Sequence, residues 1–151
     1  MPFFDESNFM PEQSPGFLVR VTSQLCLANL DTVFADEGLT STQWITMISL
    51  HFGFADTCAA LAREISHDKG AMTRLIDVLE ARGWVERERD ADDRRVVKLR
   101  LTEPGLEVAI RARRRVIACW NAWLDDWSEE EITQFIAQLQ RLRARLEREA
   151  A

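Results

Sequence analysis

The chain contains no tyrosine, only two histidines and only three cysteines. His51 and His67 stand at no metal-ligand spacing from each other or from a cysteine, so no zinc site is expected. Cys26, Cys58 and Cys119 form neither a CxxC pair nor an even-numbered framework. They read as free thiols in a reducing compartment, and the expected localisation is cytoplasmic. A glycine-rich phosphate loop, a nucleophile elbow and HExxH are all missing, so neither an enzyme nor a bound cofactor is expected. No apolar run approaches the roughly 18 residues that span a bilayer. The first residues lack a basic region followed by a long apolar core, and no signal peptide is expected.

Positive charge is also short. The net charge is −6, which opposes binding to a polyanion. Its distribution reverses that inference, because residues 60–115 carry a balance of +3 and the remainder carries −9. Basic charge is therefore concentrated in one segment, as a phosphate-facing surface requires. Of the 19 basic residues, 17 are arginine, the side chain whose fork suits phosphate and guanine.

What is present has a clear order. The first 15 residues carry three prolines and predict an irregular arm. Phe17, Val21, Leu25 and Ala28 then recur at helical spacing. Thr40 and Gln43 have the spacing of a capping box, with Leu39 and Trp44 spaced as a hydrophobic staple. That helix runs to a break near Gly53. Asp56 is the expected cap of a short helix through Leu61 and Ile65. A turn at 66–68 leads to a third helix capped by Asp68, whose Met72, Leu75, Ile76 and Leu79 form one apolar stripe. Lys69, Gly70, Thr73, Arg74 and Asp77 occupy its other face, and Gly83 followed by Trp84 suits a left-handed helix end.

After Gly83 the period changes from 3.6 to 2. Residues 84–89 predict a strand, 90–93 a turn, and 95–101 a return strand with Val97, Leu99 and Leu101 on one face. Thr102 caps a long helix that breaks near 125–127. Ser128 and Glu131 form a second capping box before a helix with Ile132, Phe135 or Ile136, Leu139, Leu142 and Leu146 on one stripe. Arg111, Arg113, Arg114 and Arg115 read as a solvated face, with phosphate steering as the alternative. The expected fold class is mainly α with a small β-wing: a winged helix-turn-helix whose N- and C-terminal helices form a dimerisation layer. The expected division is 1–38 (arm and first dimerisation helix), 39–102 (DNA-binding domain) and 103–151 (C-terminal dimerisation helices).

Two short helices and a hairpin with a basic tip make a tool for two DNA grooves. The start of the second helix reaches base edges in the major groove, and a basic tip enters the minor groove, where negative potential attracts arginine. Gly70 and Ala71 allow close approach; Lys69, Thr73, Arg74, Arg94 and Arg95 are the candidate contacts.

The run 61–85, Arg87, Asp93-Arg94-Arg95 and the Leu101-Thr102-Glu103-Pro104-Gly105 segment resemble the MarR (multiple antibiotic resistance regulator) family over nearly the whole chain. The resemblance implies a homodimeric repressor on a pseudo-palindromic operator in double-stranded DNA. It implies Arg95 as the minor-groove arginine, with Asp93 orienting it by a salt bridge. It also implies a small aromatic or anionic effector that relieves DNA binding. The candidate effector residues are Arg20, Trp44, Met47, His51, Trp120 and Trp123. Alternatives are a thiol-based redox sensor using Cys26, weakened by the absence of tyrosine, and a winged-helix protein-interaction or architectural module.

Overall fold

Among residues 3–149, which the computed structural model describes, the chain forms six α-helices and a two-stranded antiparallel sheet. In order these are α1 (Pro15–Val33), α2 (Ser41–His51), α3 (Cys58–Glu64), α4 (Lys69–Ala81), β1 (Val85–Arg89), β2 (Val97–Leu101), α5 (Glu103–Trp123) and α6 (Glu129–Glu149). By contacts they divide into two compact units, residues 1–114 and 115–151. Among the described residues, no helix is long and apolar enough to cross a membrane.

The helix starts follow local chemistry. Ser14 caps α1 by accepting the Phe17 N–H, and Pro15 occupies the first turn, where its missing N–H costs nothing. The preceding arm contains one 3-10 turn, Pro11–Gln13. Thr40 and Gln43 form the expected capping box, with Thr40 Oγ1 accepting the Gln43 N–H at 3.2 Å and Gln43 Oε1 accepting the Thr40 N–H at 3.0 Å.

The cap of α3 is a correction. Thr57, not Asp56, accepts the Ala60 N–H through its side chain, at 3.2 Å. A capping residue must also accept the first intrahelical hydrogen bond through its carbonyl, from the N–H four residues on. The Thr57 carbonyl does so for Leu61 at 2.9 Å, whereas the Asp56 carbonyl is taken by the Leu99 N–H at 2.7 Å.

Met72, Ile76 and Leu79 of α4 are completely buried, and they pack into a core with Phe34, Met47, Leu61 and Val85. The helix ends as Gly83 adopts φ +70°. There the Gly83 N–H bonds the Glu80 carbonyl at 2.8 Å and the Trp84 N–H bonds the Leu79 carbonyl at 3.0 Å. This double closure is the Schellman arrangement.

In the hairpin Val85 pairs with Leu101, Arg87 with Leu99 and Arg89 with Val97. Val85 and Leu99 are buried, while Val97 is 41% exposed because it lies where the ribbon leaves the core. The return strand starts at Val97 rather than Arg95. Residues 93–96 close the loop instead, with the Val96 N–H on the Asp93 carbonyl at 2.9 Å and the Asp90 N–H on the Val96 carbonyl at 3.0 Å.

Thr102 joins the hairpin to α5. Its hydroxyl donates to the Gly83 carbonyl at 2.5 Å and accepts the Gly105 N–H at 3.1 Å. Gly105 packs so closely that any Cβ would collide with the Trp84 carbonyl. Backbone cannot rotate away as a side chain can, so we expect Gly105→Ala to destabilise the fold by about 1–3 kcal/mol. A lowered urea midpoint would register it; an unchanged midpoint would refute it.

In the second unit, Ser128 and Glu131 form the other expected capping box, with bonds of 2.8 and 3.3 Å. Trp127 packs edge to face on Phe135 at 5.4 Å. No described residue of α6 is buried, and Phe135, Ile136, Leu139, Leu142 and Leu146 are 38–59% exposed.

Candidate nucleic-acid interface

Helices α3 and α4 are joined by a turn at 65–68 in which Ser66 takes φ +52°. The His67 N–H bonds the Ala62 carbonyl at 2.7 Å, so His67 serves the turn through its backbone. Asp68 Oδ1 accepts the Ala71 N–H at 2.8 Å. That bond, helped by the Gly70 N–H and the positive charge of Arg74, holds the Asp68 carboxyl below its ordinary range.

The outer face of α4 exposes Lys69, Gly70, Thr73, Arg74 and Asp77 to solvent, and leaves Ala71 half-buried. Thr73 Oγ1 donates to the Lys69 carbonyl at 3.0 Å and lies 3.5 Å from Cys58 Sγ. With its proton spent on the backbone, Thr73 offers a partner a lone pair and a methyl group. Asp77 is not free for a base. It pairs with Arg87 of β1 at 2.6 Å, and Glu80 takes the other arm of the same guanidinium. This bridge ties α4 to the hairpin, and the Asp77 bond raises the Arg87 pKa further. Sequence spacing did not reveal it, since the partners belong to different elements.

At the wing tip Arg94 and Arg95 are exposed, and neither makes an ion pair among the described residues. The expected Asp93–Arg95 salt bridge takes another form: Asp93 Oδ1 accepts the backbone N–H of Arg95 at 3.0 Å. Two residues apart in a tight turn, the carboxylate closes a local ring with the backbone (an Asx turn) and leaves the guanidinium free. Further down the ribbon Arg89 also lacks an ion pair among the described residues, whereas Lys98 and Arg100 are neutralised. Lys98 meets Asp90 at 2.8 Å, and Arg100 meets Glu86 at 2.7 Å.

The candidate effector residues differ in burial and in what they touch within each unit. Met47 is fully buried in the core. Trp44 is half-buried, 6.1 Å from the Phe34 ring, and its indole N–H donates to the Ala109 carbonyl at 3.3 Å. His51 is exposed and stacks edge-on to Phe52 at 4.8 Å, and Arg20 is exposed on α1. Trp120 and Trp123 belong to the second unit and pack on each other at 5.1 Å. Two surface clefts of about 440 and 530 Å³ are lined by other residues, one by Trp127 and Phe135 with polar neighbours, the other by Phe4 and Phe9. All three cysteines are free thiols, and burial pushes the Cys26 thiol up.

Comparison with known proteins adds an independent finding. Residues 37–96 match the model of the MarR family. The multiple antibiotic resistance protein MarR of Salmonella typhimurium is 29% identical over 100 residues, covering 66% of this chain and 69% of that protein. MarR of Escherichia coli K12 is 29% identical over 101 residues, 67% and 70% of the two chains. Among solved structures, a cysteine-to-serine mutant of E. coli MarR complexed with operator DNA has a TM-score of 0.75 at 25% identity, covering 92% of this chain and 99% of that one. The S. aureus MepR–DNA complex also has a TM-score of 0.75, at 22% identity, over 89% of this chain and 98% of that one.

Proposed function

Because the chain belongs to the MarR family of winged helix-turn-helix regulators, we propose that it is a sequence-specific repressor binding a pseudo-palindromic operator as a symmetric homodimer. One observation carries this reading. In a chain of net charge −6, the hairpin stem pairs Arg87, Lys98 and Arg100 with carboxylates, yet leaves Arg94 and Arg95 at the tip, with Arg89 at the strand end, without an ion pair among the described residues. A cation with no intramolecular partner can meet phosphate or a narrow minor groove without breaking a bond first. Lys69, Gly70, Ala71, Thr73 and Arg74 are the corresponding major-groove residues in this reading. Their place at the start of α4 also directs its positive dipole end at phosphate.

Dimerisation follows from the exposed apolar stripe of α6, which a second copy would cover. Footprinting on DNA upstream of the protein's own gene tests the proposal. The expected pattern is two protected half-sites about one helical turn apart, on one face of the duplex. A single unsymmetrical patch, or none, would contradict it.

Relief by a small aromatic or anionic effector belongs to the same proposal. Arg20 and His51 are the exposed polar positions of the candidate set, whereas Trp44 and Met47 serve packing and would have to shift. A phenolic acid that favours the DNA-incompetent form must bind that form more tightly. We expect such an acid to raise the melting temperature of the free protein and to release operator, with both effects lost in Arg20→Ala. Thermal shift with paired anisotropy would measure them; equal response in both proteins removes Arg20 from the site. Thiol sensing at Cys26 is disfavoured, since a raised thiol pKa leaves little thiolate at neutral pH.

A further inference from the structure

The wing loop hangs on one carboxylate. Asp90 directly follows the outgoing strand, and its Oδ1 accepts both the Asp92 and the Asp93 N–H at 2.9 Å. Its Oδ2 meets Lys98 Nζ at 2.8 Å, and only 16% of its side chain is exposed. Lys98 sits on β2 opposite Glu88, and the same ammonium also reaches Asp56 Oδ2 at 3.6 Å. Asp56 precedes α3, and its carbonyl already holds the Leu99 N–H at 2.7 Å. Lys98 therefore bridges the loop and the segment that enters the helix-turn-helix.

From Asp90 the chain of contacts continues to the tip. Asp90 holds the Asp93 N–H, and Asp93 holds the Arg95 N–H at 3.0 Å. The Lys98 hydrogen bond, with the two backbone N–H groups, keeps the Asp90 carboxyl at about 2. The charge on which the bridge depends is thus present throughout the neutral range.

We infer that Asp90 and Lys98 are positioning residues for the wing: they order its loop and tether it to the α3 entry, so that Arg95 meets DNA from a preset place. The inference rests on the reading of Arg95 as a DNA contact. Lys98 stays open to solvent, and ion pairs screened by water contribute little to global stability, so the value of this one lies in ordering a loop before binding rather than during it.

A double-mutant cycle on operator DNA, with dimer state checked by sedimentation, tests the inference. Asp90→Ala is expected to weaken operator binding about three- to tenfold in the wild-type background, and less than about twofold once Arg95 is alanine. Asp90→Asn keeps an oxygen acceptor for both backbone bonds but loses the charge that holds Lys98. It should fall between wild type and Asp90→Ala, and it carries the test if the alanine variant melts early. Lys98→Met should match Asp90→Asn, and Lys98→Arg should restore binding. An Asp90→Ala or Asp90→Asn loss that persists undiminished beside Arg95→Ala overturns the inference, as does wild-type affinity in Asp90→Ala. If Arg95→Ala alone leaves affinity unchanged, the DNA reading of the wing fails, and this inference falls with it.

Discussion

Leu139→Glu is expected to convert the protein to a monomer and to lower its operator affinity by about a hundredfold or more. The apolar residues of α6 recur at close to 3.5-residue spacing, the spacing of a seam between helices. Five of them stand 38–59% exposed in the protomer, and Leu139 is central among these. A glutamate there would be solvated in the monomer but stranded without a partner in a dimer, where burying a charge is costly. Because the position is exposed in the protomer, the substitution should spare the fold. Each freed chain would then hold one half-site and lose the effective concentration that links two. Sedimentation velocity with parallel anisotropy titrations gives both readings. A variant that stays dimeric would displace the seam from α6.

The second large effect is at the wing. Arg95→Ala should weaken operator binding more than about tenfold, leave the dimer intact and reduce the salt dependence by about one counterion. Arg95 makes no ion pair among the described residues, and its backbone is pinned by Asp93 at 3.0 Å, so the guanidinium is free while its root is not. Arg100 is the internal control. It is paired with Glu86 at 2.7 Å and lies 3.5 Å from Glu88, and its alanine variant should lose far less. Equal losses at both positions would mean that bulk charge, not placement, drives binding.

How far the sequence carried the structure depended on the range of each signal. The capping boxes at Thr40 and Ser128, the Asp68 cap and the Gly83 helix end are chemistry between residues three to five apart, and all are found where spacing puts them. The change of period after Gly83 likewise placed the hairpin. The errors were short shifts where a distant element competes for a local group. Asp56 looks as good a cap as Thr57 until Leu99 takes its carbonyl. Residues 95 and 96 look like strand until the loop closes over them.

Long-range partners were not legible. Nothing in the order of residues says that Arg87 grips Asp77 and Glu80, or that the Trp44 indole reaches the Ala109 carbonyl, 65 positions away. The Asp93–Arg95 spacing did mark a contact, but not which atoms make it. Sequence also could not separate aromatic residues used for packing, such as Trp44, from those free to meet a ligand. That distinction depends on burial.

The central claim is sequence-specific recognition of duplex DNA, and competition binding at physiological salt tests it most directly. A labelled fragment from upstream of the protein's own gene would be challenged with unlabelled genomic and scrambled duplexes. The account predicts that scrambled DNA must exceed the matching fragment by about a thousandfold or more to displace half the label. Equal competition by every duplex would contradict it, leaving a basic surface that holds phosphate without reading sequence.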